Sequence, residues 1–576
     1  MTPLMWAADS GHEGVVNALL EREDVNPDAA RRGFGSTALA WAADSGHAGV
    51  VEILLGRVDV SPNQQLPGSE KTLLFWAVEK GHQAVVKLLL EREDLDPNTV
   101  DMEYGDTLLL WAVCENHEGI LRLLLERRDV DPNDVDIPGG RGPLSRAAEL
   151  GNEGVVKILL EREDVNPNQI DTEDSEYGRS PLSLAAANGH ERVVGVLLKR
   201  GGVNPHQAGA GCGATPLSLA AANGHEGVVK MLLEREDIDP DQVDTEDSKF
   251  GRTPLSRAAA NGHEGVVMML LQREDVNPDQ AGTECGETPL SLAAANGHEG
   301  VVKMFLERED VDPDRASPKY GASPLSLAAE NGHEIVVKML LEREGVNPDR
   351  ADTQSGRTPL SWAVGKGHGG VVKMLLEQED VNPNQRITED GQTTLAWAAE
   401  SGREGVVRML LKRHDVNPNL ADTRYGRTAL SRASGNGRDR VVGVLLERGE
   451  VNPNTPDAWY GRTPLAFATW NGHEGVVKIL LEREDVNPNI ADVWYGRTPL
   501  FFAAENGHQG VVKMLLERKD IHTAVLDSQN QTPLELALSQ GHHEVVKILQ
   551  GWGQVDPSAA DCTIYLPLRP PASCGN

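Results

Sequence analysis

Residues 215–241 read Thr215-Pro216-Leu217-Ser218-Leu219-Ala220-Ala221-Ala222-Asn223-Gly224-His225-Glu226-Gly227-Val228-Val229-Lys230-Met231-Leu232-Leu233-Glu234-Arg235-Glu236-Asp237-Ile238-Asp239-Pro240-Asp241. Thr215 is a good N-cap, and Pro216 at the first helical position lacks only an amide that has no intrahelical partner there. Leu217, Ala220 and Ala221 fall at i, i+3 and i+4, an apolar stripe whose small residues permit close packing. Gly224 supplies the left-handed residue that ends this first helix. Val228, Val229, Leu232 and Leu233 form the single apolar face of a second helix, which closes on Glu234-Arg235-Glu236-Asp237. Pro240 disfavours helix at Asp239, so the chain is extended there. The stretch predicts two short antiparallel helices followed by a long loop.

Outward from this stretch the same pattern recurs. A Thr-Pro-Leu-like phase starts at Thr2, Thr37, Thr72, Thr107, Gly142, Ser180, Thr215, Thr253, Thr288, Ser323, Thr358, Thr393, Thr428, Thr463, Thr498 and Thr532, which makes sixteen units. Twelve of the fifteen spacings are 35 residues, two are 38 and one is 34. The phase absorbs residues that otherwise look special. Of 33 prolines, 11 follow the phase-setting residue and 14 occupy the Asn-Pro, Asp-Pro or Ser-Pro step late in the unit; of 17 histidines, 13 sit at one position, that of His225. Neither a short helix nor one helical pair can bury its stripe alone, whereas stacked neighbours bury a continuous ribbon of Leu, Val and Ala. The expected fold is therefore an all-α solenoid. The two 38-residue spacings come from three extra residues in the acidic loops 171–176 and 244–249. These lie 73 residues apart, as duplication of a two-unit block would leave them.

The units resemble ankyrin repeats. The likeness is carried by Thr-Pro-Leu, Ala-Ala, Gly-His, Val-Val, Leu-Leu and Asp-Val-Asn, recurring in order across residues 1–550, about 16 units in all. The family's His after Thr-Pro-Leu is here usually Ser (Ser145, Ser183, Ser218, Ser256, Ser291, Ser326, Ser361, Ser431), and the loop is longer, at 35 residues per unit instead of the family's usual 33. The variant is similar to long ankyrin arrays of filamentous fungi, where such arrays often follow a nucleotide-binding signalling domain. The resemblance implies protruding loops or hairpin tips that, with the first helices, face a concave, partner-binding side.

The tip is most often aromatic-Gly-Arg: Tyr177-Gly178-Arg179, Phe250-Gly251-Arg252, Tyr425-Gly426-Arg427, Tyr460-Gly461-Arg462 and Tyr495-Gly496-Arg497. Gly permits the turn's positive φ, but the turn requires neither the aromatic nor the Arg. Tyr and Arg are enriched at binding hot spots, so both are candidates for partner contact. The alternative is that Tyr packs on the next tip and Arg pairs with a nearby acid. Aromatics concentrate late in the chain. Trp459, Tyr460, Phe467, Trp470, Trp494, Tyr495, Phe501 and Phe502 crowd into two units of a chain whose aromatic content is 4%. Phe467 and Phe502 share the phase of Trp6, Trp41, Trp76, Trp111, Trp362 and Trp397, which is Leu in other units such as those of Leu184 and Leu219, and are expected in the core between units. Trp459, Trp470, Trp494 and Phe501 fall where the core does not need them. The expected protein-binding residues are Tyr425, Arg427, Trp459, Tyr460, Arg462, Trp470, Trp494, Tyr495, Arg497 and Phe501.

Composition bounds the function. Against 55 Lys and Arg stand 88 Asp and Glu, a net charge of −33, which disfavours sequence-independent nucleic-acid or anionic-membrane binding. Counting Gly and leaving Tyr out, the apolar share is about 48%, the globular norm. No apolar run reaches the roughly 18 residues of a membrane span, and the N-terminus has no leader pattern. The five cysteines (Cys114, Cys212, Cys285, Cys562, Cys574) form no disulfide framework or metal pairing. The histidines recur one unit apart, so metal binding is not expected; each is read as bonding neighbouring backbone to fix its turn. Asp and Glu recur at the ends of the second helices, where they oppose the helix macrodipole; this is read as a solvated acidic ridge serving solubility or partner steering. His542-His543-Glu544 lacks the second His of a zinc-protease motif, Lys547 standing in its place. No phosphate loop or nucleophile elbow is present.

The expectation is an intracellular monomer, in the cytoplasm or else the nucleus, without catalysis, cofactor or metal, that scaffolds partner proteins. Met1-Thr2-Pro3-Leu4 opens directly on a helix start, so either the first unit frays or a segment precedes it. The latter underlies the alternative, the sensing half of a larger signalling or defence protein. Enzyme and spring-like roles are further classes. Residues 551–576 are expected to form a disordered tail.

Overall fold

The computed structural model describes residues 1–29, 37–62, 71–92, 94–100, 105–135, 141–170, 178–209, 213–244, 251–282, 286–388 and 390–553. Tyr177, Phe250, residues 171–176, residues 245–249, Cys212, Cys285, Cys562 and Cys574 lie outside the described residues, as does the expected tail from 554 onward. Among the described residues there are 32 helices, two per unit. The final helix, His543–Gly553, runs past the boundary at 550 expected for the array. Extended pairing among these residues is limited to two isolated antiparallel bridges, Val100 with Thr107 and Arg386 with Thr393.

The unit beginning at Thr215 shows how sequence becomes structure. Thr215 is extended (φ −77°, ψ 162°), and its hydroxyl oxygen accepts the Ser218 N–H at 3.2 Å, capping the helix Pro216–Ala222. Gly224 turns the chain at φ +76°, and the His225 N–H returns to the Ala220 carbonyl at 3.0 Å before the second helix, Glu226–Leu233, begins. Leu217, Ala220, Ala221, Val228, Val229 and Leu232 are at most 2% exposed. The chain groups into two compact units, Met1–Pro289 and Leu290–Asn576. Within each, first helix packs on first helix and second on second between adjacent repeats, as Pro216–Ala222 does on Pro254–Asn261 and Glu404–Lys412 on Asp439–Leu446.

Three side-chain bonds join one repeat to the next. Beyond the first repeat, and except at His117, whose Nε2 has no such partner, the recurring His donates from Nε2–H to a carbonyl of the preceding repeat, for example His47 to Asp9 (2.9 Å), His225 to Ala187 (2.9 Å) and His473 to Gly435 (3.0 Å). The expected backbone bond is present, but its acceptor lies one repeat back. Where His is replaced, Arg403 donates to the Gly365 carbonyl at 2.6 Å and Asn152 to the Val113 carbonyl at 3.3 Å, so the bond outlasts the residue type.

The Arg of Glu-Arg-Glu-Asp forms the second device. Arg483 grips Asp485 with Nε and Nη2 (2.9 and 2.7 Å) while Nη1 donates to the Leu446 carbonyl (2.9 Å) at the end of the preceding second helix. Arg57 does the same with Asp59 and the Leu20 carbonyl. The acids stand exposed, as expected of a solvated ridge, and the structure adds a second role for the Asp. The Asp orients a guanidinium that satisfies a carbonyl left open at a helix C-terminus, where positive charge is favourable. The third device is an amide ladder. Asn454 donates to the Asp485 carbonyl (2.6 Å) and accepts the Asn487 N–H (2.8 Å); Asn384, Asn419 and Asn489 repeat this.

Candidate functional site at the tips of residues 422–497

Three consecutive tips, 422–427, 457–462 and 492–497, are built alike. An Asp at the start of each turn folds its carboxylate over the backbone. Asp457 Oδ1 accepts the N–H groups of Tyr460 (3.0 Å) and Arg462 (2.9 Å), and Asp492 Oδ1 those of Tyr495 (2.9 Å) and Arg497 (3.1 Å). Gly461 at φ +71° makes the turn, and a Cβ there would lie 2.7 Å from Val493 Cγ1 of the next tip, so only glycine fits. Adjacent tips are joined through backbone: the Ala458 N–H donates to the Tyr425 carbonyl (2.7 Å), Val493 to Tyr460 (2.8 Å) and Ser528 to Tyr495 (2.7 Å).

The tip arginines turn inward. Arg427, Arg462 and Arg497 point Nε toward Oδ2 of Asp457, Asp492 and Asp527 on the following tip, at 3.6, 3.8 and 3.1 Å, and all three carboxylates are fully buried. Arg462 also lies over the rings of Trp470 (3.7 Å), Phe502 (4.6 Å) and Tyr460 (4.7 Å), and Arg427 over Phe467 (4.6 Å). Arg497 is held besides by Glu505 at 2.9 Å. Burial pulls the Arg462 guanidinium below its ordinary pKa, opposed by the carboxylates of Asp492 and Asp457. The cation is thus internal, paired with acid and sandwiched between rings.

The ten expected contact residues divide accordingly. Trp459, Trp494, Tyr495 and Trp470 are 51, 62, 42 and 37% exposed, while Tyr425, Tyr460 and Arg427 are half-buried. Arg462 and Arg497 are buried for the reason just given. Phe501 is fully buried and belongs to the core. Its phase is Ser or Ala in most repeats, but Met5, Phe75 and Leu110 share it and are likewise buried. Its N–H goes to the Thr498 carbonyl at 2.9 Å, and Thr498 makes no side-chain cap bond. Phe467 and Phe502 are buried as expected, with Trp470 packed 5.3 Å from Phe502. At the tips the rings tile: Tyr425 lies 5.9 Å from Trp459, Trp459 lies 6.4 Å from Tyr460, and Trp494 Nε1–H donates to the Trp459 carbonyl at 2.8 Å. Sequence reasoning missed Val493, 56% exposed beside Trp494. Its phase holds Thr423, Ala458 and Ser528 in neighbouring tips, so an apolar departure at that phase was the available signal.

Among the described residues no helix is long and apolar enough to cross a membrane, and no group of three or more His, Cys, Asp and Glu side chains is placed to hold a metal ion. Cys114 is a free thiol, half-buried, and burial pushes its pKa up against the opposing influence of Arg146. A family model described as ankyrin repeats (three copies) matches residues 1–66, 58–136, 128–208, 201–281, 275–352, 325–422, 414–492 and 485–561. No curated protein matches the chain.

Proposed function

Because the chain belongs to the ankyrin-repeat family, we propose that it is a protein-interaction scaffold, with no catalytic step, whose contact face is formed by the tips and first-helix ends of its last repeats. Proteins of this family are generally interaction modules. One observation carries the assignment of the face. Trp459, Trp494 and Tyr495 stand exposed on tips locked to one another by backbone bonds, and Trp470 is exposed at the end of the first helix Pro464–Asn471. Large rings held rigid lose little entropy on binding, and Trp and Tyr dominate interface energetics. The proposed state is a monomer and the proposed setting intracellular, on the concave side of the stack that tips and first helices make in this family.

The test is capture of partners with the intact chain by pull-down or proximity labelling, against the triple variant Trp459→Ala, Trp470→Ala, Trp494→Ala. Loss of partners with an unchanged helical circular dichroism signal is expected. Capture of the same proteins by the triple variant sinks the assignment, and loss of the helical signal reassigns these rings to the core.

A further inference from the structure

We propose that the tip face of residues 422–497 binds an extended, proline-rich, uncharged segment of a partner protein. This rests on the contact-face reading above and names the chemistry of its ligand.

Hydrogen-bond complementarity comes first. The carbonyls of Tyr425, Tyr460 and Tyr495 accept the N–H groups of Ala458, Val493 and Ser528, and the Trp459 carbonyl accepts Trp494 Nε1–H. Each of these four carbonyls already holds one bond inside the ladder, leaving a single lone pair apiece. Donors remain: among the described residues the hydroxyls of Tyr460 and Tyr495 have no partner within the chain. Unbonded hydroxyl donors beside carbonyls that are each already bonded once suit a ligand that presents carbonyls and has no N–H groups of its own to satisfy. Proline has no N–H, and a polyproline II helix leaves every carbonyl unbonded.

Charge complementarity points the same way. In a chain of net charge −33 the tip face shows no free ion. Arg427, Arg462 and Arg497 are matched by buried Asp457, Asp492 and Asp527, and exposed Arg424 is paired with Asp390 at 2.7 Å. The large apolar groups left outward are Trp459, Trp494, Tyr495 and Val493, rings and a methyl surface on which pyrrolidine rings pack. A charged ligand finds no counter-ion here, and a partner helix finds rings tiled at 5.9 and 6.4 Å instead of an apolar groove.

The experiment is calorimetric titration of the full chain with decaproline, a peptide that adopts the polyproline II form alone, beside a glycine-serine peptide of equal length and an amphipathic Leu-Lys helical peptide. Saturable binding of decaproline only is expected, weakened roughly tenfold or more in Trp459→Ala, Trp494→Ala, the loss typical of aromatic hot spots. Should that variant lose its helical signal, Tyr460→Phe, Tyr495→Phe keeps the rings and removes the donors, and weakening there carries the same conclusion. Absence of decaproline binding, equal binding of the helical peptide, or binding unchanged in both variants overturns the proposal. If such a chain still captures partners through Trp459 and Trp494, the scaffold reading stands and the proline-rich ligand alone is discarded.

Discussion

Asn454 and Asp349 occupy the same phase of the repeat, yet they join their neighbours differently. Asn454 donates one bond and accepts another across the junction, whereas Asp349 accepts only the Asn382 N–H, at 2.6 Å, and its other oxygen is buried without a hydrogen-bond partner. Asp241 repeats this with Asn277. Burial pushes both carboxyls above the ordinary Asp range, opposed by those backbone bonds. Because the folded pKa lies above the unfolded one, the fold binds the proton more tightly. The contribution of these groups to stability is full below the unfolded pKa and is lost as pH rises through the folded one. Asp349→Asn restores a donor at every pH and is expected to stabilise by about 1 kcal/mol near neutrality. In urea titrations the advantage over the parent chain shrinks as pH falls into the carboxyl range; an advantage constant with pH refutes this account.

At the scale of the helical pair, the turn between helices is the critical element. Gly332 sits at φ +79°, and a Cβ there would lie 2.5 Å from His368 Nδ1, whose Nε2–H donates to the Glu330 carbonyl at 2.9 Å. Gly332→Ala therefore meets two costs, a left-handed backbone at about 1–2 kcal/mol and a displaced inter-repeat bond at about 1 kcal/mol. His368→Ala loses only the second. Thermal unfolding should rank the glycine variant clearly below the histidine variant, and a reversed order contradicts the packing described. Much of this element was legible: Thr at the cap, Pro behind it and Gly at the turn act within four residues of where they stand. The partner of the histidine was not legible, because its acceptor lies 38 residues away.

For the whole molecule, stability is a sum over neighbours. Within the compact unit Leu290–Asn576, the second helix Glu334–Leu341 packs on the second helices Glu299–Leu306 and Gly369–Leu376 of the adjoining repeats. Leu340 is fully buried there, and Leu340→Ala is expected to cost about 2–5 kcal/mol. In a stack of this kind the damage stays local. Hydrogen exchange should quicken in those three helices and leave Glu474–Leu481 unchanged; uniform loss of protection would show a more global cooperativity than nearest-neighbour contacts provide. The acidic balance also looks different as a molecular property. Acids such as Asp485 and Asp520, each gripped by the Arg two residues before it, serve as struts of the junctions.

Helix positions, their order and the repeating stack follow from the sequence alone, because caps, glycines and apolar stripes act locally and a 35-residue period forces like to pack on like. The same logic placed Phe467 and Phe502 in the core from their phase, but it does not hold for the tryptophans there: Trp6 is 59% exposed and Trp41, Trp76, Trp111, Trp362 and Trp397 are half-buried. Which way the tip residues face was settled only by tertiary structure. Arg462 and Arg497 are drawn in by buried carboxylates 30 residues further along the chain, and Phe501 is fully buried, while Trp459 and Trp494 are left outside. No local rule distinguishes these fates. Burial is decided by what the next repeat brings into contact, and that contact exists only once the repeats have stacked.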